Sequence, residues 1–300
     1  MKRRGLTLVE ALVVMGVVGV LLALTMPAIQ RVRGLADRTA CLSNMRQMMT
    51  AMHHYHQDYG ALPPTERSAL GSREITPEGW MSWQAQLLPY IEQEMLYRQA
   101  LEDFRRYPGH TNLALHRGQT TVIKLYGCPS DGRVRAVHED PYGDLGAFTS
   151  YIGADSVKDT RRDKFHSGAL GLSFAEITDG LGNTIAFGER PPPETMIAGW
   201  WYHGGIYWGF KVRGPNQFLF MDGAIMAENA HPDCLPTTHT FGPGRLNNPC
   251  DRLHFWSLHG GGANFAFVDG SVRFISYHVG SDLIAALISP SGGEQESLPD

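Results

Sequence analysis

Four cysteines, a histidine–aspartate pair and one acidic residue in an apolar run are the side chains of this 300-residue chain whose spacing could do chemistry. His231 and Cys234 are separated by two residues, and Cys250 and His254 by three, intervals that zinc ligands use. The same two cysteines could instead close a disulfide loop over a Pro-, Gly- and Asn-rich interval, a bridge worth about 3 kcal/mol in loop entropy. His259 is followed after nine residues by Asp269-Gly270. A histidine with a carboxylate could be a base and its orienting group or two metal ligands; the plainer reading has His259 orienting a hairpin and Asp269 serving its turn. His259-Gly260-Gly261-Gly262 looks like an oxyanion loop, but no Gly-x-Ser-x-Gly accompanies it. Phosphate-binding loops, Gly-x-Gly-x-x-Gly and His-Glu-x-x-His are also missing. Asp155, Asp159, Asp179 and Glu189 offer oxygen to calcium without forming a recognisable calcium loop. His53, His54 and His56 sit at steps that do not share a helix face. The expectation is therefore a protein that is not an enzyme and has no resident cofactor, with zinc or calcium as minor alternatives.

The composition narrows the class. The chain is 43% hydrophobic and 19% charged, too apolar for a disordered protein. Lys and Arg number 26 against 30 Asp and Glu, so no dense basic face is available and no nucleic acid is expected as a partner. Four cysteines are too few for a disulfide-built scaffold but enough for two bridges.

The elements that must position these groups begin with an unusual N-terminus. Lys2-Arg3-Arg4 precedes residues 6–28, where only Thr7, Glu10 and Thr25 interrupt the apolar character. As a helix this segment spans about 35 Å, enough to cross a bilayer core. Its basic flank should stay in the cytoplasm and the rest should lie outside. A cleaved signal peptide or a plain signal anchor leaves Glu10 unexplained, because a carboxylate in hydrocarbon costs a few kcal/mol unless paired. Leu24-Thr25-Met26-Pro27 is also a poor signal-peptidase exit.

Residues 1–10 resemble the prepilin signal of type IV pilins and type II secretion pseudopilins. The resemblance implies cleavage after Gly5 by a prepilin peptidase, methylation of the new amine on Leu6, and pairing of Glu10 with the free amine of a neighbouring subunit. That intermolecular pair supplies the partner the carboxylate needs in low dielectric. The family usually has Phe where Leu6 stands.

Beyond Pro27, apolar residues recur in helical steps through Ile29, Val32, Leu35, Ala40, Met45, Met48, Met52, Tyr55 and Tyr59, until Gly60 and Pro63-Pro64 stop the pattern. One helix over 6–59 is expected, half in lipid and half under a head domain. In the head, 80–107 reads as helix interrupted near Pro89, and 121–126 as a strand leading to Cys128. Asp-Gly pairs at 131, 179, 222 and 269 mark tight turns. The clearest hairpin joins 263–268 to 271–275. A short helix over 281–289 closes the fold. Trp200-Trp201-Tyr202 and Tyr207-Trp208 could form a partner surface, with core packing the readier use.

Over nearly its whole length the chain resembles the large bacterial prepilin-like proteins that carry a C-terminal domain of unknown function. The marks are the prepilin start, Cys41 with Asn44-Met45-Arg46-Gln47, Tyr55-His56, Trp83 through Glu92-Gln93, Cys128-Pro129-Ser130-Asp131, Tyr151-Ile152-Gly153, Asn183-Thr184-Ile185 and the His259–Asp269-Gly270 ending, H-x9-D-G. The resemblance implies an α+β, pilin-like fold, a long N-terminal helix packed on an antiparallel sheet. Expected segments are a leader (1–5), a transmembrane helix (6–28), an amphipathic stalk (29–60), a head (61–290) and a disordered tail (291–300). In an oxidising compartment Cys41 and Cys128 would pin the stalk to the sheet, worth about 4 kcal/mol. The expected partners are prepilin peptidase/methyltransferase, other pilin-like subunits and membrane lipid. The expected location is the inner membrane with a periplasmic head, or a filament at the cell surface. An anchored extracytoplasmic enzyme or binding protein, using the prepilin segment only for sorting, is the alternative.

Overall fold

The computed structural model describes residues 8–64, 76–108, 113–141, 143–155, 169–203, 216–218 and 241–293, with 216–218 described by backbone alone. Helix α1 (Leu8–Tyr59) runs unbroken for 52 residues, with Pro27 inside it; at 1.5 Å per residue it is about 78 Å long. It ends where Gly60 takes φ 72° and donates its N–H to the His56 carbonyl at 2.8 Å. That left-handed cap is open to glycine at no steric cost.

Burial divides α1 in two. Cys41, Met45, Met48, Met49, Met52 and Tyr55 are buried. Leu12, Val18, Ile29 and Leu35 are 47–65% exposed. The expected stripe therefore holds from Met45 to Tyr55, while Ile29, Val32, Leu35 and Tyr59 lie uncovered by the head.

The covered half rests on a five-stranded sheet. Strands β3 (Tyr151–Asp155), β4 (Ile185–Glu189), β5 (Asn216–Phe218), β6 (Gly262–Phe267) and β7 (Val272–Ser276) lie in the order β5-β3-β4-β6-β7. A separate pair, β1 (His138–Glu139) and β2 (Leu145–Gly146), is antiparallel. All neighbours in the main sheet are antiparallel except β3 and β5, which run parallel. One face meets the α1 methionines, Trp83, Tyr151, Phe187, Trp200 and Trp201 in a single apolar cluster. Alternate residues Ile152, Phe265 and Phe267 point to the other face, where they pack with Ile284, Leu287 and Ile288 of a short helix over 281–288. The sheet is thus covered on both sides, which is why β4 and β6 are buried along their whole length.

The 263–275 hairpin forms as expected, with β6 and β7 in register from Gly262↔Ser276 to Ala266↔Val272. Its turn differs in detail. Only Gly270 has positive φ, 92°; Gly270 N–H bonds to the Phe267 carbonyl and Phe267 N–H to the Ser271 carbonyl, both at 2.9 Å. This is a type I turn closed by a glycine bulge, so Asp269 needs no left-handed backbone.

Other expectations are corrected. Residues 121–126 are not a strand; Lys124–Tyr126 makes a 3-10 turn. The 80–107 helix is broken into 3-10 Pro77–Trp80, α2 (Trp83–Gln86), 3-10 Leu88–Ile91 and α3 (Glu94–Arg106). The break falls at Glu92, which adopts φ 62°. Asp131-Gly132 is no hairpin turn, since Asp131 caps the 3-10 helix Gly132–Arg135 by accepting the Arg133 N–H at 3.1 Å. Asp222-Gly223, Tyr207-Trp208 and most of the tail lie outside the described residues.

Candidate functional site

The sequence singled out Cys41, Cys128 and His259 separately; the fold brings them to one point with Glu189. Cys41 comes from the first buried turn of α1, and Cys128 from the loop after the Lys124–Tyr126 turn. Glu189 ends β4, and His259 lies in the loop leading into β6. Cys41 and Cys128 form a disulfide with Cα atoms 5.4 Å apart. One donor atom of each of the four side chains lies within 4.8 Å of those of the other three, and all four are buried.

The contacts within this group are directional. His259 Nε2 is 3.4 Å from Cys128 Sγ and 3.3 Å from Glu189 Oε1. A disulfide sulfur has no hydrogen to give, so a hydrogen bond between Nε2 and Sγ has Nε2 as its donor. Glu189 is held from the other side by Asn264, whose backbone N–H donates to Oε2 at 2.8 Å and whose Nδ2 donates to Oε1 at 3.0 Å. Asn264 alternates with Phe265 on β6 and so faces the α1 side of the sheet. Cys128 N–H donates to Ser150 Oγ at 3.0 Å, and His259 N–H to Ser257 Oγ at 3.0 Å. Ser257 Oγ then donates to the Gly262 carbonyl at 2.7 Å. Each member is therefore oriented by a neighbour. Burial, then the Glu189 carboxylate, raises the pKa of the Tyr151 phenol above its usual value.

Asp269 is not part of this group. Its Oδ1 accepts the Ser271 N–H at 2.8 Å inside the hairpin turn, and Oδ2 lies 3.9 Å from Arg273. The expected plain role of Asp269 in the turn is the one its bonds describe, whereas His259 serves the disulfide and Glu189 rather than a hairpin. Among the described residues no hydrogen bond or ion pair joins His259 to Asp269.

The zinc alternative at His231, Cys234, Cys250 and His254 is corrected where it can be seen. Cys250 is disulfide-bonded. His254 has Nδ1 at 3.0 Å from the Phe255 carbonyl and Nε2 at 3.2 Å from Asp251 Oδ1. Both its nitrogens are engaged by oxygen. His231 and Cys234 lie outside the described residues. Of the calcium set, only the side chains of Asp179 and Glu189 are among the described residues, and they bond to different partners. Asp179 accepts N–H groups from Gly292 and Gly293, whereas Glu189 is bonded to Asn264 and His259. Asp159 and the side chain of Asp155 lie outside the described residues. Trp200, Trp201 and Tyr202 are fully buried packing residues rather than a surface. His53 contacts the Val268 carbonyl at 2.8 Å, and His56 accepts the Phe174 N–H at 3.2 Å while stacking on its ring.

Sequence spacing could not reveal the part Glu189 plays, since its partners lie on other elements. One signal was present: a charged residue closing an apolar strand, Ile185-Ala186-Phe187-Gly188-Glu189, which in a two-sided sheet must find a buried partner.

At the other end of the molecule, α1 carries a stretch long and apolar enough to span a membrane, with none of that window buried. Glu10 lies within its first turn; the expected processing residues Gly5 and Leu6 lie outside the described residues. No curated protein and no solved structure matches the chain. Two family profiles do. Residues 1–26 match the prokaryotic N-terminal methylation motif, the mark of a type IV pilin-like processed protein and of recognition by prepilin peptidase. Residues 30–282 match the protein of unknown function DUF1559, and with the methylation motif ahead of that domain the chain belongs to the prepilin-like DUF1559 family.

Proposed function

We propose that the protein is a membrane-anchored, pilin-like structural subunit, cut after Gly5 and methylated at Leu6. It assembles through the free half of α1 and presents its head outside the cytoplasm, in the periplasm or at the cell surface. The observation that carries this reading is the division of α1. Apolar side chains from Leu8 to Leu35 are exposed on every side, while between Cys41 and Tyr55 the same helix buries one face against the head. An apolar surface of that length calls for lipid or sister helices. In such a setting the Glu10 carboxylate is satisfied by the α-amine of the next subunit.

The head is a scaffold for display in this reading and performs no catalysis. The separation of His259 from Asp269 supports that, as does the disulfide joining Cys41 to Cys128.

The test is N-terminal mass analysis of protein extracted from membranes. It should begin at methylated Leu6; an intact Met1, or a start near residue 27, refutes the proposal. Replacing Glu10 with alanine should then abolish incorporation into assemblies while leaving head melting unchanged. Normal assembly of that variant refutes the pairing.

A further inference from the structure

We propose that Cys41, Cys128, His259 and Glu189 form a metal site in the dithiol state of the protein, for Zn2+ or a similar thiophilic divalent cation. The Cys41–Cys128 disulfide closes this site. The inference is independent of how the N-terminus is processed.

The donor set is the first argument. Two thiolates, one imidazole and one carboxylate give a four-coordinate sulfur, nitrogen and oxygen shell of the kind zinc takes. Geometry is the second. Zinc–sulfur bonds near 2.3 Å and zinc–nitrogen or –oxygen bonds near 2.0 Å place tetrahedral ligands about 3.6 Å apart for sulfur and nitrogen, and about 3.3 Å apart for nitrogen and oxygen. Cys128 Sγ to His259 Nε2 is 3.4 Å and His259 Nε2 to Glu189 Oε1 is 3.3 Å. Two of the six edges of the tetrahedron therefore already exist and the other donor pairs lie within 4.8 Å of one another; the two sulfurs must part, to about 3.8 Å.

The third argument is the outer shell. Metal ligands are held in place by second hydrogen bonds. Here Asn264 holds the carboxylate through two donors, and Ser257 and Ser150 fix the backbone of His259 and Cys128. A disulfide needs none of this. A carboxylate and an imidazole, 1% and 8% exposed, are a costly way to line it, since apolar residues of similar size would serve packing at least as well.

The two states interconvert with a balanced count. A dithiol or phosphine reductant gives two electrons to the sulfur–sulfur bond, which becomes two thiols; the dithiol supplies both hydrogens and closes to its own disulfide, or water supplies them and its oxygen ends on the phosphine as the phosphine oxide. Metal binding releases both thiol protons, and the His259 ring moves its hydrogen from Nε2 to Nδ1 so that Nε2 can ligate. A disulfide-forming oxidant reverses this and expels the metal. The cation links α1 to the head at the same place the disulfide does.

The test uses the full-length chain in detergent, stripped of metal, with Co2+ as the spectroscopic probe and Zn2+ as competitor. After phosphine reduction, one equivalent of Co2+ should give thiolate-to-cobalt charge-transfer absorption, bleached by Zn2+; the oxidised chain should give none. Glu189→Gln and His259→Ala should each weaken Co2+ binding at least tenfold. Cys41→Ala/Cys128→Ala should abolish the absorption although Cys234 and Cys250 remain. Should reduction loosen the fold, one equivalent of Zn2+ should restore near-ultraviolet circular dichroism. The proposal is overturned if the reduced chain shows no such absorption, if the double cysteine variant keeps it, if both ligand variants bind like wild type, or if a loosened reduced chain does not recover with Zn2+.

Discussion

Removing the Cys41–Cys128 bond should be the most damaging single covalent change available to the head. The two residues are 87 positions apart. In the chain-entropy account, a cross-link over that span withholds about 4.6 kcal/mol of conformational entropy from the unfolded state. Both side chains are at most 5% exposed, so the variant should be Cys41→Ala/Cys128→Ala, which buries no new polar group. For a head of this size each kcal/mol moves the melting temperature about 2–4 °C, so the expected loss is about 9–18 °C. Near-ultraviolet circular dichroism of full-length protein in detergent is a suitable readout, because Trp83, Trp200 and Trp201 are all fully buried. A folded variant that melts within about 3 °C of wild type refutes the reasoning. It means that the unfolded chain keeps the second half of α1 beside the 128 loop without the bond.

Other outcomes follow from local geometry. Gly262→Ala puts a methyl group inside contact distance of the Ile275 carbonyl oxygen across the β6/β7 pair and should cost about 1–3 kcal/mol in urea unfolding; Gly260→Ala, with open space around it, should cost under about 0.5 kcal/mol. Met52→Ala empties a fully buried position under the sheet and should cost about 2–5 kcal/mol in the same assay. Burial first, and then the neighbouring His53, hold the pKa of His56 below 6.5. The unfolded chain then binds the proton more readily, so stability is full above pH 6.5, falls as pH drops through the window beneath it, and levels off below the folded value. Melting curves from pH 7.5 to about 5 check this, and His56→Leu, which removes both the titration and the bond from Phe174 N–H, should flatten the slope; an unchanged slope refutes the assignment.

The parts of the fold that could be read from sequence are those set by local pattern. The α1 helix, the 263–275 hairpin and the 281–288 helix each carry their own periodicity and stop signals. The segment 121–126 misled because its β-branched residues fit a strand, yet it never joins a ladder. Its carbonyls are taken by other partners: Thr121 accepts from Trp201 Nε1, and Tyr126 accepts from the Ser150 N–H. Tertiary bonding overrode propensity there. The break at Glu92 had no glycine to announce it. At the site, Cys41, Cys128 and His259 stood out by type, but their meeting with Glu189 depends on strand order, which spacing does not encode. The Cys41–Cys128 bridge was inferable only once the chain was read as exported.

The disulfide has a mechanical consequence. It ties the rod-like α1 to the head near the point where the rod leaves it, at the first fully buried residue of the helix. Tension along the exposed half of α1 therefore enters the head through a covalent link, not by shearing the methionine seam past the sheet. The 45–55 interface is shielded from load, and a tug that would peel an unbridged helix away moves this head as one body.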